Sequence, residues 1–150
     1  LFLLLCLQIF ALTAALTACA GALDAGHGRL AVIDIDGQPA RVLVAATRQE
    51  QLTGLMFREN LPEDQGMLFV YDAPRVRCMW MKNTVIPLSA AFLADDGRIL
   101  SIVDMVPMTT DSHCSPAPVR YILEMNQGWF ERRGLGRGSR VDLSRIHPGP

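Results

Sequence analysis

Residues 1–22 carry no charged side chain, and Leu, Phe, Ile and Ala dominate them, with polar interruptions at Gln8, Thr13 and Thr17. A segment this apolar on every side has no face to show water, so it does not build the surface of a folded domain. It closes on Leu16-Thr17-Ala18-Cys19, the small-residue approach to a cysteine that marks a bacterial lipoprotein signal. Such a signal normally opens on Met and a basic patch. Neither precedes Leu1, which is read as truncation of the signal. Three outcomes export the rest of the chain: lipidation of Cys19 after cleavage, which is the expectation, ordinary cleavage near residues 20–22, and retention as a membrane anchor. Ala20, rather than Asp, comes after Cys19, which resembles the outer-membrane sorting pattern. The expected address is the periplasmic face of the envelope, with the membrane as partner through the N-terminal lipid.

Removing the signal leaves roughly 130 residues, enough for one domain with a core of its own and short for two. The expected division is signal 1–22, linker 23–28, domain 29–145 and tail 146–150. All 14 basic and 15 acidic residues lie after the signal, and the net charge of -1 does not suggest nucleic acid as a partner. Lys82 is the sole lysine. Arg132, Arg133, Arg137 and Arg140 cluster near the C-terminus, where a solvated face with ordinary ion pairs is preferred to an anionic-lipid site. Cys6 leaves with the signal and Cys19 would carry lipid. Cys78 and Cys114 then remain as a pair in an oxidising compartment, and a disulfide is expected, the alternative being two separately buried thiols.

The domain reads as mainly β. Arg29 to Ile35 and Ala40 to Ala45 are strands around an Asp36-Gly37 turn. Thr47-Arg48-Gln49-Glu50 is a capping box opening a helix from about Arg48 to Arg58, with Leu52, Leu55 and Met56 on its sheet-facing side. Further strands are expected over Gly66 to Tyr71, Arg77 to Lys82, Leu88 to Ala94, Arg98 to Met105 and Val119 to Met125. Ser139 to Leu143 is a candidate for another, and Gln127 to Arg133 for a short helix stopped by Gly134. Seven or eight short strands with one or two short helices imply a compact α+β, antiparallel, barrel-like domain.

Two blocks carry a resemblance. Gly54-Leu55-Met56-Phe57-Arg58 precedes Gly66-Met67-Leu68-Phe69, and Met79-Trp80-Met81-Lys82-Asn83-Thr84 precedes Ile86-Pro87-Leu88, with Tyr121-Ile122-Leu123-Glu124 and Gly128 downstream. In this order they resemble family 192 of the domains of unknown function, over Arg29 to about Leu143. The resemblance implies a compact β-rich domain, often exported, and supplies no activity. The family commonly has an acidic residue after Ile-Pro-Leu where this chain has Ser89, so no role of that carboxylate carries over.

Period two along Arg77 to Lys82 sets Cys78, Trp80 and Lys82 on one side and Met79, Met81 and Asn83 on the other. Trp80 offers an apolar wall with an N–H handle, and Lys82 and Asn83 stand at the strand end. A candidate ligand pocket therefore comprises Arg58, Trp80, Lys82, Asn83 and Glu124, with Arg58 and Lys82 meeting an anion and Glu124 orienting them. The competing reading is a structural ion-pair network, with Asn83 and Thr84 bonding backbone at a turn. Ser89, Ser101, Ser112 and Ser115 lack a nucleophile elbow, and His113 adjoins Cys114 in sequence rather than facing it. Neither Cys-x-x-Cys nor His-Glu-x-x-His occurs. Met79, Met81, Met105, Met108, His113 and Cys114 are soft donors suited to Cu(I), but form no dense Met-x-x-Met array and read as core filler. No metal, cofactor or catalytic residue is assigned. The expectation is a non-enzymatic envelope lipoprotein binding a small ligand or a partner protein. An enzyme using Lys82, Arg58 and Glu124, or a structural accessory module, are the alternatives.

Overall fold

The computed structural model describes residues 28–146. The signal segment, Cys19, most of the linker and His147 lie outside them. Eight strands and two helices occur in the order β1 (Arg29–Ile35), β2 (Gln38–Ala45), α1 (Arg48–Thr53), β3 (Gln65–Arg75), β4 (Cys78–Met79), β5 (Leu88–Leu93), β6 (Ile99–Met105), β7 (His113–Cys114), β8 (Val119–Asn126) and α2 (Trp129–Arg132). The main sheet has the order β1-β2-β3-β8-β5-β6, and β4 pairs with β7 in a second, two-stranded ladder.

The sheet is mixed rather than antiparallel throughout, because β2 and β3 run parallel. The cause is the segment between them: α1 and the loop after it return the chain to the end at which β2 began, as parallel neighbours require. Nor does the sheet close by strand pairing. Ser139 to Leu143, which the sequence offered as one more strand, form only the bridges Ile35↔Val141 and Arg98↔Arg140. They nevertheless bond to both edges. Asp36 N–H donates to Arg140 O and Asp142 N–H to Asp34 O, while Val141 N–H donates to Gly97 O and Ile99 N–H to Ser139 O, all at 2.8–3.1 Å. Gly97 is required there: its φ is +82° and an added Cβ would lie 2.1 Å from Val141 O.

Both faces of the central strands are buried, as their nearly continuous apolar runs imply. Val42, Val44, Leu68, Val70, Leu123 and Met125 pack on one side, with Trp129 and Phe130 of α2 and Ile146 of the expected tail. Leu43, Ala45, Met67, Phe69, Phe92 and Ile122 face the other side, under Leu55, Met79 and Met81. Glu124 belongs to this second face by alternation with Leu123 and Met125, and is paired between Met67 of β3 and Ala90 of β5.

The capping box of α1 forms as expected, Glu50 N–H donating to Thr47 Oγ1 and Thr47 N–H to Glu50 Oε2. The helix is shorter than its apolar spacing suggests, however. Gly54, at φ +50° and ψ -133°, ends it after Thr53. Leu55 then turns into the core at 2% exposure while Leu52 stays 59% exposed, so the two do not share one buried stripe.

Candidate functional site

A cavity of about 390 Å³ opens between α1, the end of β3 and β4, on the face of the sheet that carries Glu124. Its floor is Phe69 and Glu124, its walls include Leu55, Met79 and Trp80, and Arg48, Tyr71 and Arg77 supply polar groups around it. Volume and lining suit a small molecule.

Each wall has a local cause. Gln51 of α1 donates to Val70 O at 2.7 Å and to Ala46 O at 3.2 Å, pinning the helix over the end of β3. The β4–β7 ladder is only two residues long, but Cys78 and Cys114 lie directly opposite each other in it and are joined by the expected disulfide. Beside it Arg77 and Ser115 bond reciprocally: Arg77 N–H donates to Ser115 Oγ at 3.0 Å, and Ser115 N–H to Arg77 O at 2.7 Å. That clamp holds the Arg77 guanidinium 3.9 Å over the Tyr71 ring. Its Nη2 donates to Ala73 O, while Nε is buried without a hydrogen bond. Behind the cavity three loops are knit by Phe57 N–H to Asn83 O at 2.9 Å, Met108 N–H to Thr84 O at 3.0 Å and Met81 N–H to Thr109 O at 3.1 Å. Phe57, Asn83 and Met108 all take left-handed backbone there, a costly conformation for Phe and Met that the cross-bonding sustains.

Glu124 is the group that most requires explanation. It is 3% exposed, and its carboxyl group takes part in none of the hydrogen bonds or ion pairs found among the described residues. Burial alone pushes its pKa up to about 8, so the side chain is mostly a neutral acid at neutral pH. Tyr71 is pushed up to about 12, first by burial, with the Arg77 charge opposing and Glu124 adding to the rise. Glu124 is the sole carboxyl group lining the cavity among the described residues.

Of the residues expected to form a pocket, Trp80 and Glu124 line this cavity; Arg58, Lys82 and Asn83 do not. Lys82 is exposed and sets its ammonium 5.4 Å from the Trp80 ring centroid. Arg58 is half-buried beyond the helix, and Asn83 offers its carbonyl to Phe57 within the loop cluster. Thr84 lines the cavity while its hydroxyl donates to Lys82 O at 3.2 Å, the turn bond expected for it. Arg48, Tyr71 and Arg77 were missed. Alternation within β3 puts Tyr71 on the Glu124 face, but only the β3–β8 register makes that visible.

Met79, Met81 and Met105 are buried in the core and Cys114 is in the disulfide, so the soft donors do not assemble. No group of three or more His, Cys, Asp or Glu suited to a metal occurs among the described residues. Ser89, where the family commonly has a carboxylate, donates to Asp104 on the adjoining strand and accepts from Gly128 N–H at 2.9 Å. The C-terminal arginines include ordinary ion pairs, Arg133 with Glu63 and Asp64, and Arg140 with Asp96.

Two solved structures resemble the fold. A protein of Sinorhizobium meliloti 1021, described as a putative transcription regulator, is 33% identical with a TM-score of 0.75, the match covering 77% of this chain and 95% of that one. A protein of unknown function from Novosphingobium aromaticivorans DSM 12444 is 32% identical with a TM-score of 0.74, covering 77% and 86%. No curated protein gives a match. Residues 31–143 match the family described as Uncharacterized ACR, and the chain therefore belongs to that family, DUF192.

Proposed function

We propose that this domain is a small-ligand-binding module of the cell envelope, held to the membrane by lipid at Cys19, with the cavity beneath α1 as its binding site. The observation that carries the reading is the buried Glu124 carboxyl group, without a hydrogen bond among the described residues and facing a cavity of ligand size. No group among the described residues bonds its oxygens, which leaves them to a ligand that enters the cavity, whereas a purely structural role gives no reason to keep an acid on this apolar face. Regulation of transcription, the word attached to the Sinorhizobium protein, is not adopted, since the net charge of -1 offers no electrostatic footprint for DNA.

Catalysis is the second reading. Glu124 and Tyr71 give the cavity two titratable groups with raised pKa values, the arrangement in which an acid and a base are sought. It would use those residues rather than Lys82 and Arg58.

Protein-observed NMR with a library of small soluble fragments tests the binding reading. Hits should shift the Trp80 indole and the Tyr71 and Glu124 amides. The Trp129 indole, bonded to Asp64 on the far side of the sheet, should stay still. A library that produces no shift at the first three positions rejects the proposal.

A further inference from the structure

The cavity has polar groups at two places and apolar surface between them. Register pairs Glu124 with Met67, and Tyr71 stands four residues further along β3, about 13 Å away along the strand before the side chains reach inward. Arg77 is stacked on Tyr71, and Arg48 lines the same cavity. Phe69 and Met79 lie among the lining groups and supply the apolar surface.

Charge decides what the Arg77 end accepts. Two arginines line the cavity, Arg77 with its guanidinium fixed on Tyr71 and Arg48 exposed at the surface, and its one carboxyl group is kept mainly neutral by burial at neutral pH, so the lining carries net positive charge. The Arg77 guanidinium gives Nη2 to Ala73 O and keeps Nε buried out of reach, which leaves Nη1 as the donor for an acceptor in the cavity. A guanidinium recognises a carboxylate through charge-assisted hydrogen bonds, and its position is already fixed by the Ser115 clamp and the Tyr71 ring. At the other end Glu124, neutral or ionised, has an oxygen free to accept from a hydroxyl or amide N–H.

We propose that the ligand is a small organic acid whose carboxylate meets Arg77, whose apolar body crosses Phe69 and Met79, and whose second hydrogen-bonding group reaches Glu124. This rests on the cavity being a ligand site and names the class of molecule it takes.

Isothermal titration of the full chain in phospholipid nanodiscs, with empty nanodiscs as blank, tests it with three probes. 3-(4-Hydroxyphenyl)propanoate carries both polar groups, 3-phenylpropanoate lacks the distal hydroxyl, and tyramine replaces the carboxylate with an ammonium. The hydroxylated acid should bind most tightly. Loss of the hydroxyl should cost about five- to tenfold, the worth of one hydrogen bond, and the ammonium should cost more than tenfold. Arg77→Met should weaken both acids and leave tyramine unchanged. Glu124→Leu should erase the preference for the hydroxylated acid, while Glu124→Gln should keep it. Tyramine binding as tightly as the acids overturns the proposed class while leaving a ligand cavity in place. Equal binding of the two acids overturns the role given to Glu124. Absence of heat from all three probes overturns this inference, and the fragment screen then decides separately whether the cavity binds anything.

Discussion

Glu124→Gln gives the sharpest test of the energetics, because one buried group should dominate the dependence of stability on pH over a wide window. Burial holds the folded-state pKa at about 8 against an ordinary value of 4.5. At about 1.4 kcal/mol per pH unit, ionising Glu124 costs about 5 kcal/mol more in the folded chain than in the unfolded one. Proton counting gives the sign. Between pH 4.5 and about 8 the folded state holds a proton that the unfolded state has lost, so stability falls as pH rises. Below pH 4.5 both states are protonated and the group costs nothing through ionisation; above about pH 8 the full cost is present. Glu50, Asp96 and Asp142 act in the opposite sense. Burial works against Glu50, but hydrogen bonds from Thr47 and Ala46 prevail and lower its pKa. Bonds to Arg98 lower that of Asp96, and bonds to Ser144 that of Asp142. Their stabilisation is present above the ordinary carboxyl pKa and is lost in acid. Tyr71 enters only between its ordinary 10.0 and about 12. Stability should therefore peak near pH 5, and a loss of several kcal/mol by pH 8 is large against the usual 5–15 kcal/mol of a domain. Urea unfolding of the natural protein and Glu124→Gln at intervals from pH 5 to 9, disulfide intact, isolates the effect. The difference between the two should change by about 4 kcal/mol across the range, because part of the roughly 5 kcal/mol is already present at pH 5, and in favour of the glutamine at high pH. A difference flat with pH would refute the reasoning.

Reducing Cys78–Cys114, which are 36 residues apart, should cost about 4 kcal/mol by loop-closure entropy; urea unfolding with and without reductant checks this, and a loss under about 1 kcal/mol contradicts it. Lys82→Met should change stability by less than about 1 kcal/mol in thermal melts, because the ammonium is exposed and lies against the Trp80 ring. A loss of about 3–5 kcal/mol would instead mark Lys82 as one half of a buried pair. Cys19→Ala should abolish acyl labelling and release the protein from the membrane fraction; unchanged retention, with no acyl label on the natural chain, counts against lipidation.

Most of the strands were legible because period-two patterning and turn residues are local. Arg29 to Ile35 and the alternation of Cys78, Trp80 and Lys82 outward with Met79 and Met81 inward need only neighbouring residues. The length of α1 was not, since Leu52 and Leu55 keep helical spacing across the glycine that ends the helix. Parallel pairing of β2 with β3 depends on where the loop after α1 returns the chain. Arg77 to Lys82 reads as a strand, but only Cys78 and Met79 of it pair, because their partner is the two-residue His113–Cys114, whose own pattern predicts no strand. For the site, Glu124 and Trp80 stood out as a charge in an apolar run and a broad aromatic beside it. Arg77 and Tyr71 did not, because their role comes from a stack and a backbone clamp to Ser115, 38 residues away.

The bonds that residues 138–142 make to β1 and to the start of β6 make the last stretch of the domain a guard for its two outer strands. Exposed strand edges invite pairing between molecules. During synthesis the guard arrives after every strand it protects, so a chain halted before Ser139 would display both rims at once. Were the chain exported unfolded, as the proposed envelope address would require, that interval would be avoided, since the whole chain would be available before folding begins. A truncation in this stretch should show itself less as a lower melting temperature than as clumping.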